Sequence, residues 1–214
     1  MKTHLNDYNY WSKRAGIFDN ASCDMDGKCS QDNKMDWVIR QFNITDTTIE
    51  IGCGTGIYSA LIANNVKSLV ATDMSNEMLA LTRTKLNQYA NVEIRREDCY
   101  AISYKDNTFD SILLANLIHI VTDPLSVLKE SRRVLKKGGR IIVISYTFSG
   151  LSLIQKIIAI LHYMKNFGLP PSSAKTLSPE DLTRISEDAG FSVKESKLMG
   201  DKLKTVCLMG IKPE

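Results

Sequence analysis

The segment Thr47-Thr48-Ile49-Glu50-Ile51-Gly52-Cys53-Gly54-Thr55-Gly56 constrains this chain more than any other. An apolar, β-branched run ends in three glycines at alternate positions, and a helical pattern follows. Glycine lets the backbone turn sharply and approach a ligand with no Cβ in the way. A helix that starts at such a turn presents unpaired N–H groups and a partial positive charge to an anionic group. The segment therefore predicts a nucleotide-like ligand at the carboxyl end of a buried strand.

The dinucleotide fingerprint is G-x-G-x-x-G. Here Gly52, Gly54 and Gly56 give G-x-G-x-G, and Ile57 stands where the third fingerprint glycine belongs. Glu50 sits two positions before the first glycine, too close to suit a pyrophosphate. A ligand carrying an amino group, a sulfonium and a single carboxylate tolerates it better. The alternative is a tight strand-to-helix turn that holds nothing.

Alternation of strands and helices continues downstream. Strands are expected at 47–51, 68–73, 92–96, 109–115 and 140–146. Helices are expected from Gly56 to Asn65, from Ser75 to Tyr89, and from Asp123-Pro124 to Gly138-Gly139. Such alternation calls for parallel pairing through right-handed crossovers, with ligands at the carboxyl edge of the sheet. Upstream, residues 20–34 read as a polar loop and Met35 to Phe42 as a helix. Downstream, residues 150–168 read as a helix and 168–173 as a loop. A helix capped by Ser178 runs to Ala189, and strands at 193–198 and 204–211 close the chain.

At 214 residues the chain has the length of one α/β domain, and 1–214 reads as a single domain. A net charge of +3 with no lysine/arginine block gives no ground for a nucleic-acid partner. Cys23, Cys29, Cys53, Cys99 and Cys207 are odd in number and contain no C-x-x-C pair, so neither a disulfide framework nor a metal site is suggested. A weak metal loop at Cys23, Asp24, Asp26 and Cys29 competes with a plain surface loop. No basic-then-apolar leader is visible at the start, and the longest apolar stretch, Leu151 to Leu161, is too short and polar to span a bilayer. A cytoplasmic location fits these features.

Asp73 ends the second strand about 20 residues beyond the glycines, where a carboxylate accepts hydrogen bonds from a ribose diol. Its alternative role is to cap the following helix. Asp98, after the third strand, is placed to accept from an exocyclic amine, with Cys99 beside the base. His119, an ordinary histidine titrating near neutral pH, is a candidate to orient or deprotonate a nucleophile. Its alternative is a helix-start histidine bonded to backbone.

The E-x-G-x-G-x-G loop, Asp73, the fourth-strand segment Phe109 to Asn116, and Leu135-Lys136-Lys137-Gly138-Gly139-Arg140 together resemble class I S-adenosylmethionine-dependent methyltransferases, in particular the small-molecule "type 11" group. The resemblance covers strands one to five in order. It implies a Rossmann-like α/β fold: a mostly parallel seven-stranded sheet with helices on both faces, an antiparallel last strand, and strand seven inserted beside strand five. It implies S-adenosyl-L-methionine as cofactor and no metal. Carried over residue by residue, Glu50, Gly52, Cys53, Gly54 and Gly56 belong to the methionine side. Asp73 takes the ribose, Asp98 the adenine amine, Met74 and Cys99 flank the base, and Asn116 stands near the reactive methyl. Tyr10-Trp11 resembles a "Y-W" cofactor-lid segment, with an aromatic staple among Tyr8, Tyr10, Trp11 and Phe18 as the alternative.

The expected reaction is in-line methyl transfer to an O, N, S or C atom of a small molecule, in which alignment carries much of the catalysis. Acceptor choice falls to residues 1–34 and 147–177. If the Ile/Leu-rich run from Ser149 to Phe167 covers the site, the acceptor is apolar or bulky; if it packs on the sheet or forms a homodimer, it says nothing of the acceptor. Rival readings are the same fold acting on RNA or protein, a non-catalytic S-adenosylmethionine-binding module, and a nicotinamide-dependent dehydrogenase.

Overall fold

A computed structural model describes residues 9–21, 28–200 and 203–214, with the backbone alone for 28–32. Tyr8, Cys23, Asp24 and Asp26 lie outside the described residues, as does the side chain of Cys29.

Seven strands form one sheet: β1 (Thr47–Ile51), β2 (Ser68–Asp73), β3 (Val92–Arg96), β4 (Phe109–Ala115), β5 (Leu135–Thr147), β6 (Ser192–Met199) and β7 (Lys204–Ile211). Their order is β3-β2-β1-β4-β5-β7-β6. β1 to β5 pair parallel, and β7 runs antiparallel to both β5 and β6. This is the Rossmann-like topology expected, with β7 inserted beside β5. The order reverses at β1, whose neighbours are β2 and β4, so a crevice opens there at the carboxyl ends of the strands.

Six helices of more than one turn flank the sheet among the described residues: α1 (Lys28–Ile39), α2 (Ile57–Ile62), α3 (Asn76–Leu86), α4 (Pro124–Val134), α5 (Leu153–Phe167) and α6 (Pro179–Asp188). Strand alternation divides the core between two faces. Ile112 and Leu114 of β4, with Ile141 and Val143 of β5, pack with Val127 and Leu128 of α4 and Leu182 of α6. Leu113 and Ala115, with Ile142 and Ile144, pack with Trp37 and Val38 of α1 and Tyr58 and Ile62 of α2. α3 adds Leu79 and Leu86 against Ala71.

Local signals fix most helix starts. Ser75 Oγ accepts from the N–H of Met78 at the head of α3, and Asp123 caps α4 with Pro124 behind it. Capping boxes open α5 (Ser152 with Gln155) and α6 (Ser178 with Asp181).

Two expectations are corrected. The polar stretch 28–34, expected as loop, is the first part of α1, which ends at Ile39 rather than Phe42. Its early turns carry no apolar period, and Trp37 and Val38 in the last turn hold it to the sheet. α4 stops at Val134, before the glycines, because Leu135 is already extended and paired with Phe109. Gly138, at φ 72°, lies in a register shift inside β5, where its N–H donates to Lys212 O (2.8 Å).

Candidate active site

The crevice at β1 is a cavity of about 500 Å³. One side is built by the ends of β1 and β2. Gly52 and Cys53 both donate their N–H to Thr72 O (2.8 and 2.7 Å), and Thr82 Oγ1 of α3 donates to Gly54 O (2.7 Å). All three glycines have positive φ. At Gly52 a Cβ would stand 2.9 Å from Leu117 Cδ1, so this backbone passes close under the β4 end; at Gly54 the space is open.

Asp73 ties the loop to the second strand. Its Oδ2 accepts from Gly54 N (2.9 Å) and its Oδ1 from Ser75 N (2.8 Å). The Met74 N–H also favours the charged carboxylate, and of its about four lone-pair directions one is left for a ligand. Burial pushes its pKa up, against the backbone hydrogen bonds that favour the charged form. The N–H groups of Gly52, Cys53 and Gly54, ahead of the helix, therefore already have partners. What the loop offers is close approach.

Glu50 lies fully buried beneath the loop and accepts from Ser59 Oγ of α2. Burial, reinforced by the nearby Asp73 charge, pushes its pKa up to about 8. Beyond β3, Asp98 Oδ1 accepts from Tyr100 N (2.9 Å), and burial pushes the Cys99 thiol up to about 12. At the end of β4, Asn116 takes a left-handed conformation (φ 57°), and its buried Oδ1 has no hydrogen-bond partner among the described residues. Asn116 as a residue lines the cavity.

His119 follows on the same segment. Ser145 Oγ lies 3.3 Å from its Nδ1, and the ring meets Tyr146 edge-on (centroids 5.9 Å). Burial pushes its pKa down to about 4, where an ordinary value was expected. The imidazole is neutral at physiological pH and a weaker base than a free histidine. The His119 carbonyl accepts from Lys175 N (2.8 Å), which ties the 168–177 loop to this wall.

The cavity roof comes from the N-terminal segment and from α5. Ala159, Ile160, Tyr163, Met164 and Phe167 of α5 line it, together with Trp11 and Phe18. Trp11, Phe18 and Phe167 form an edge-packed aromatic cluster (centroids 5.9 Å for each pair). Tyr10 lies outside the lining. Its hydroxyl donates to Phe167 O (2.9 Å) and meets the Tyr163 hydroxyl (3.1 Å), while Arg14 Nε donates to the same Phe167 carbonyl (2.6 Å). The N-terminal segment also grips the cofactor-side elements, through Ser12 Oγ to Ser75 Oγ (2.8 Å), and Asp19 to Thr55 and Lys85.

Of the residues singled out in the sequence, Glu50, Gly52, Cys53, Gly54, Asp73, Met74, Asp98, Cys99, Asn116 and His119 converge on this cavity. Tyr10 and Gly56 do not. Gly56 caps α2 in a left-handed conformation, and a Cβ there would stand 3.0 Å from Thr82 Cγ2, so close packing with α3 requires glycine. Sequence reasoning offered Trp11 as part of a lid segment and the Ser149–Phe167 run, with Tyr163 and Phe167, as a cover for the site, each beside a packing alternative, and all three line the cavity; Lys175, which no local pattern marks, was not assigned. The residues fit an adenosyl sulfonium donor: the glycine loop leaves space, Asp73 has one lone-pair direction free, and Asn116 lines the cavity. Among the described residues no cluster of three His, Cys, Asp or Glu could hold a metal.

The family model described as "Methyltransferase domain" matches residues 49–143. A phosphatidylethanolamine N-methyltransferase from Cereibacter sphaeroides is 32% identical over 101 residues, 46% of this chain and 49% of that protein. A demethylmenaquinone methyltransferase from Bacillus licheniformis is 30% identical over 99 residues, 45% of this chain and 43% of that protein. The chain thus spans about half the length of these curated relatives. The crystal structure of the YcgJ protein from Bacillus subtilis superposes with a TM-score of 0.70 at 14% identity, covering 85% of this chain and 99% of that one, and so shares its fold. The family match includes the glycine loop, Asp73, Asp98 and His119, and excludes both roof segments.

Proposed function

We propose that the protein, whose residues 49–143 match the methyltransferase-domain family, is a class I enzyme of the type 11 group that moves a methyl group from S-adenosylmethionine to a small, apolar acceptor. The observation that carries this reading is one continuous cavity with two chemically distinct halves. Asp73, Asn116 and the glycine loop line the first; Ile160, Tyr163, Met164 and Phe167 roof the second.

The donor's sulfonium supplies an already activated methyl group. The residues of this chain bind, orient and exclude water. Asp73 would accept from a ribose hydroxyl with its remaining lone-pair direction, Met74 and Cys99 would flank the base, and Asp98 would accept from its amine. Asn116, lining the cavity at the end of β4, would stand near the reactive methyl. The apolar roof keeps water from the reacting atoms, which favours alignment. His119, neutral by burial, serves to orient an acceptor by hydrogen bonding more than to ionise it. The names of both curated relatives, for phosphatidylethanolamine and demethylmenaquinone, support a lipidic acceptor.

The test is to incubate the purified protein with S-adenosylmethionine and a fractionated lysate. A lipid-soluble species heavier by one CH₂, formed only with donor, is expected. Transfer confined to the RNA or protein fraction would contradict the acceptor assignment, and binding of the donor without transfer to any fraction would leave a non-catalytic module.

A further inference from the structure

α5 has two apolar faces where a helix roofing a cavity needs one. Its inner face lines the cavity. Its outer face carries Leu153, Ile154, Ile157, Ile158 and Leu161, which are 78%, 71%, 58%, 58% and 61% exposed. At about 100° per residue these side chains, with Met164 among them and Ile160 at one edge, occupy an arc of roughly 160°, and Lys165 falls within it. No described element lies against that arc. Contiguous exposed apolar surface of this extent on a folded chain marks an interaction site.

Charge says what covers it. α5 itself carries Lys156, His162 and Lys165 and no acid. No aspartate or glutamate occurs anywhere between Glu130 and Glu180, and Arg14 stands at the helix's C-terminal end on the Phe167 carbonyl. A second copy seated by a two-fold axis would set this basic, acid-free face against itself, with no carboxylate to offset the repulsion. An anionic lipid surface meets both properties at once. Apolar side chains enter the boundary between headgroups and acyl chains, and Lys165, exposed within that face on a long flexible stem, reaches back to lipid phosphates. The helix is too short and polar to cross a bilayer, and no described helix qualifies as a span.

We propose that α5 docks the protein on the surface of an anionic lipid bilayer, lying in the headgroup plane with its outer apolar face immersed. The inner face of the same helix then holds the cavity roof at the level of the headgroups. Docking rests on the outer face and its charge alone and stands whether or not the cavity transfers methyl groups.

The experiment is co-sedimentation of the full chain with phosphatidylcholine vesicles, alone or with about 30 mol % phosphatidylglycerol. The expected result is binding to the anionic vesicles, weakened by salt, and reduced at least about tenfold in the double variant Ile157→Glu, Leu161→Glu. Neither residue lines the cavity, and both are exposed, so the variant should keep the parent's circular dichroism, melting temperature and S-adenosylmethionine affinity. Failure to bind anionic vesicles, or binding the variant does not weaken, would overturn the proposal. So would a concentration-dependent dimer of the parent that the variant abolishes in place of vesicle binding.

Discussion

Glu50 and His119 carry opposite consequences of the same burial. The Glu50 carboxyl, pushed up to about 8 from an ordinary 4.5, binds a proton in the folded chain that the unfolded chain has lost across that window. Stability therefore falls as pH rises from 4.5 to 8. His119, pushed down to about 4 from 6.5, stays neutral in the folded chain while the unfolded chain protonates, so stability rises with pH between 4 and 6.5. The two oppose each other at acid pH, and between 6.5 and 8 Glu50 acts against stability unopposed by the histidine. Thermal melts of the ligand-free protein across that interval should show a falling midpoint, and Glu50→Gln should flatten it. An unchanged slope in the variant would place the effect elsewhere. For His119, an orienting role predicts that His119→Ala lowers kcat by about tenfold, short of the 10²–10⁴ a general base supplies. Steady-state kinetics with the identified acceptor check this, and a loss in the larger range would restore the base.

At the scale of elements, glycine positions separate packing from ligand contact. Gly56→Ala places a Cβ in a left-handed backbone against Thr82, and should cost about 1–2 kcal/mol of stability by denaturant titration. Because Gly56 lies off the cavity wall, any loss of donor affinity should trace to the displaced loop and be smaller than that from a lining residue. The first four strands stood out in the sequence at 47–51, 68–73, 92–96 and 109–115, the bounds the structure has. β1, β2 and β4 are buried on both faces and read as short apolar runs, while the half-exposed edge strand β3 reads by the alternation of Val92, Glu93, Ile94 and Arg95. The first turns of α1 were not legible, since they are polar and carry no apolar period. The start of β5 was hidden because Lys136 to Gly139 resemble a helix stop, while the backbone shifts register there within a strand. The cofactor half of the site was legible because strand ends carry it. The roof was legible only as one of two readings of each segment, because Trp11, Phe18, Tyr163 and Phe167 meet across most of the chain's length and no local period records that meeting.

In the whole molecule the sheet fixes one half of the cavity and the chain's two peripheral segments close the other. The aromatic cluster joining them, and the bonds from Ser12 and Asp19 to the cofactor side, make the roof and the glycine loop one mechanical unit. The central claim is that this unit encloses an adenosyl sulfonium whose sugar is held by Asp73. Titration calorimetry with S-adenosylmethionine, S-adenosylhomocysteine and NAD, on the parent and on Asp73→Ala, tests it most directly. Saturable binding of the first two ligands, weakened about 10–100-fold in the variant by loss of a charge-assisted hydrogen bond, is the predicted result. Binding of NAD alone, or a donor affinity that Asp73→Ala leaves unchanged, would contradict it.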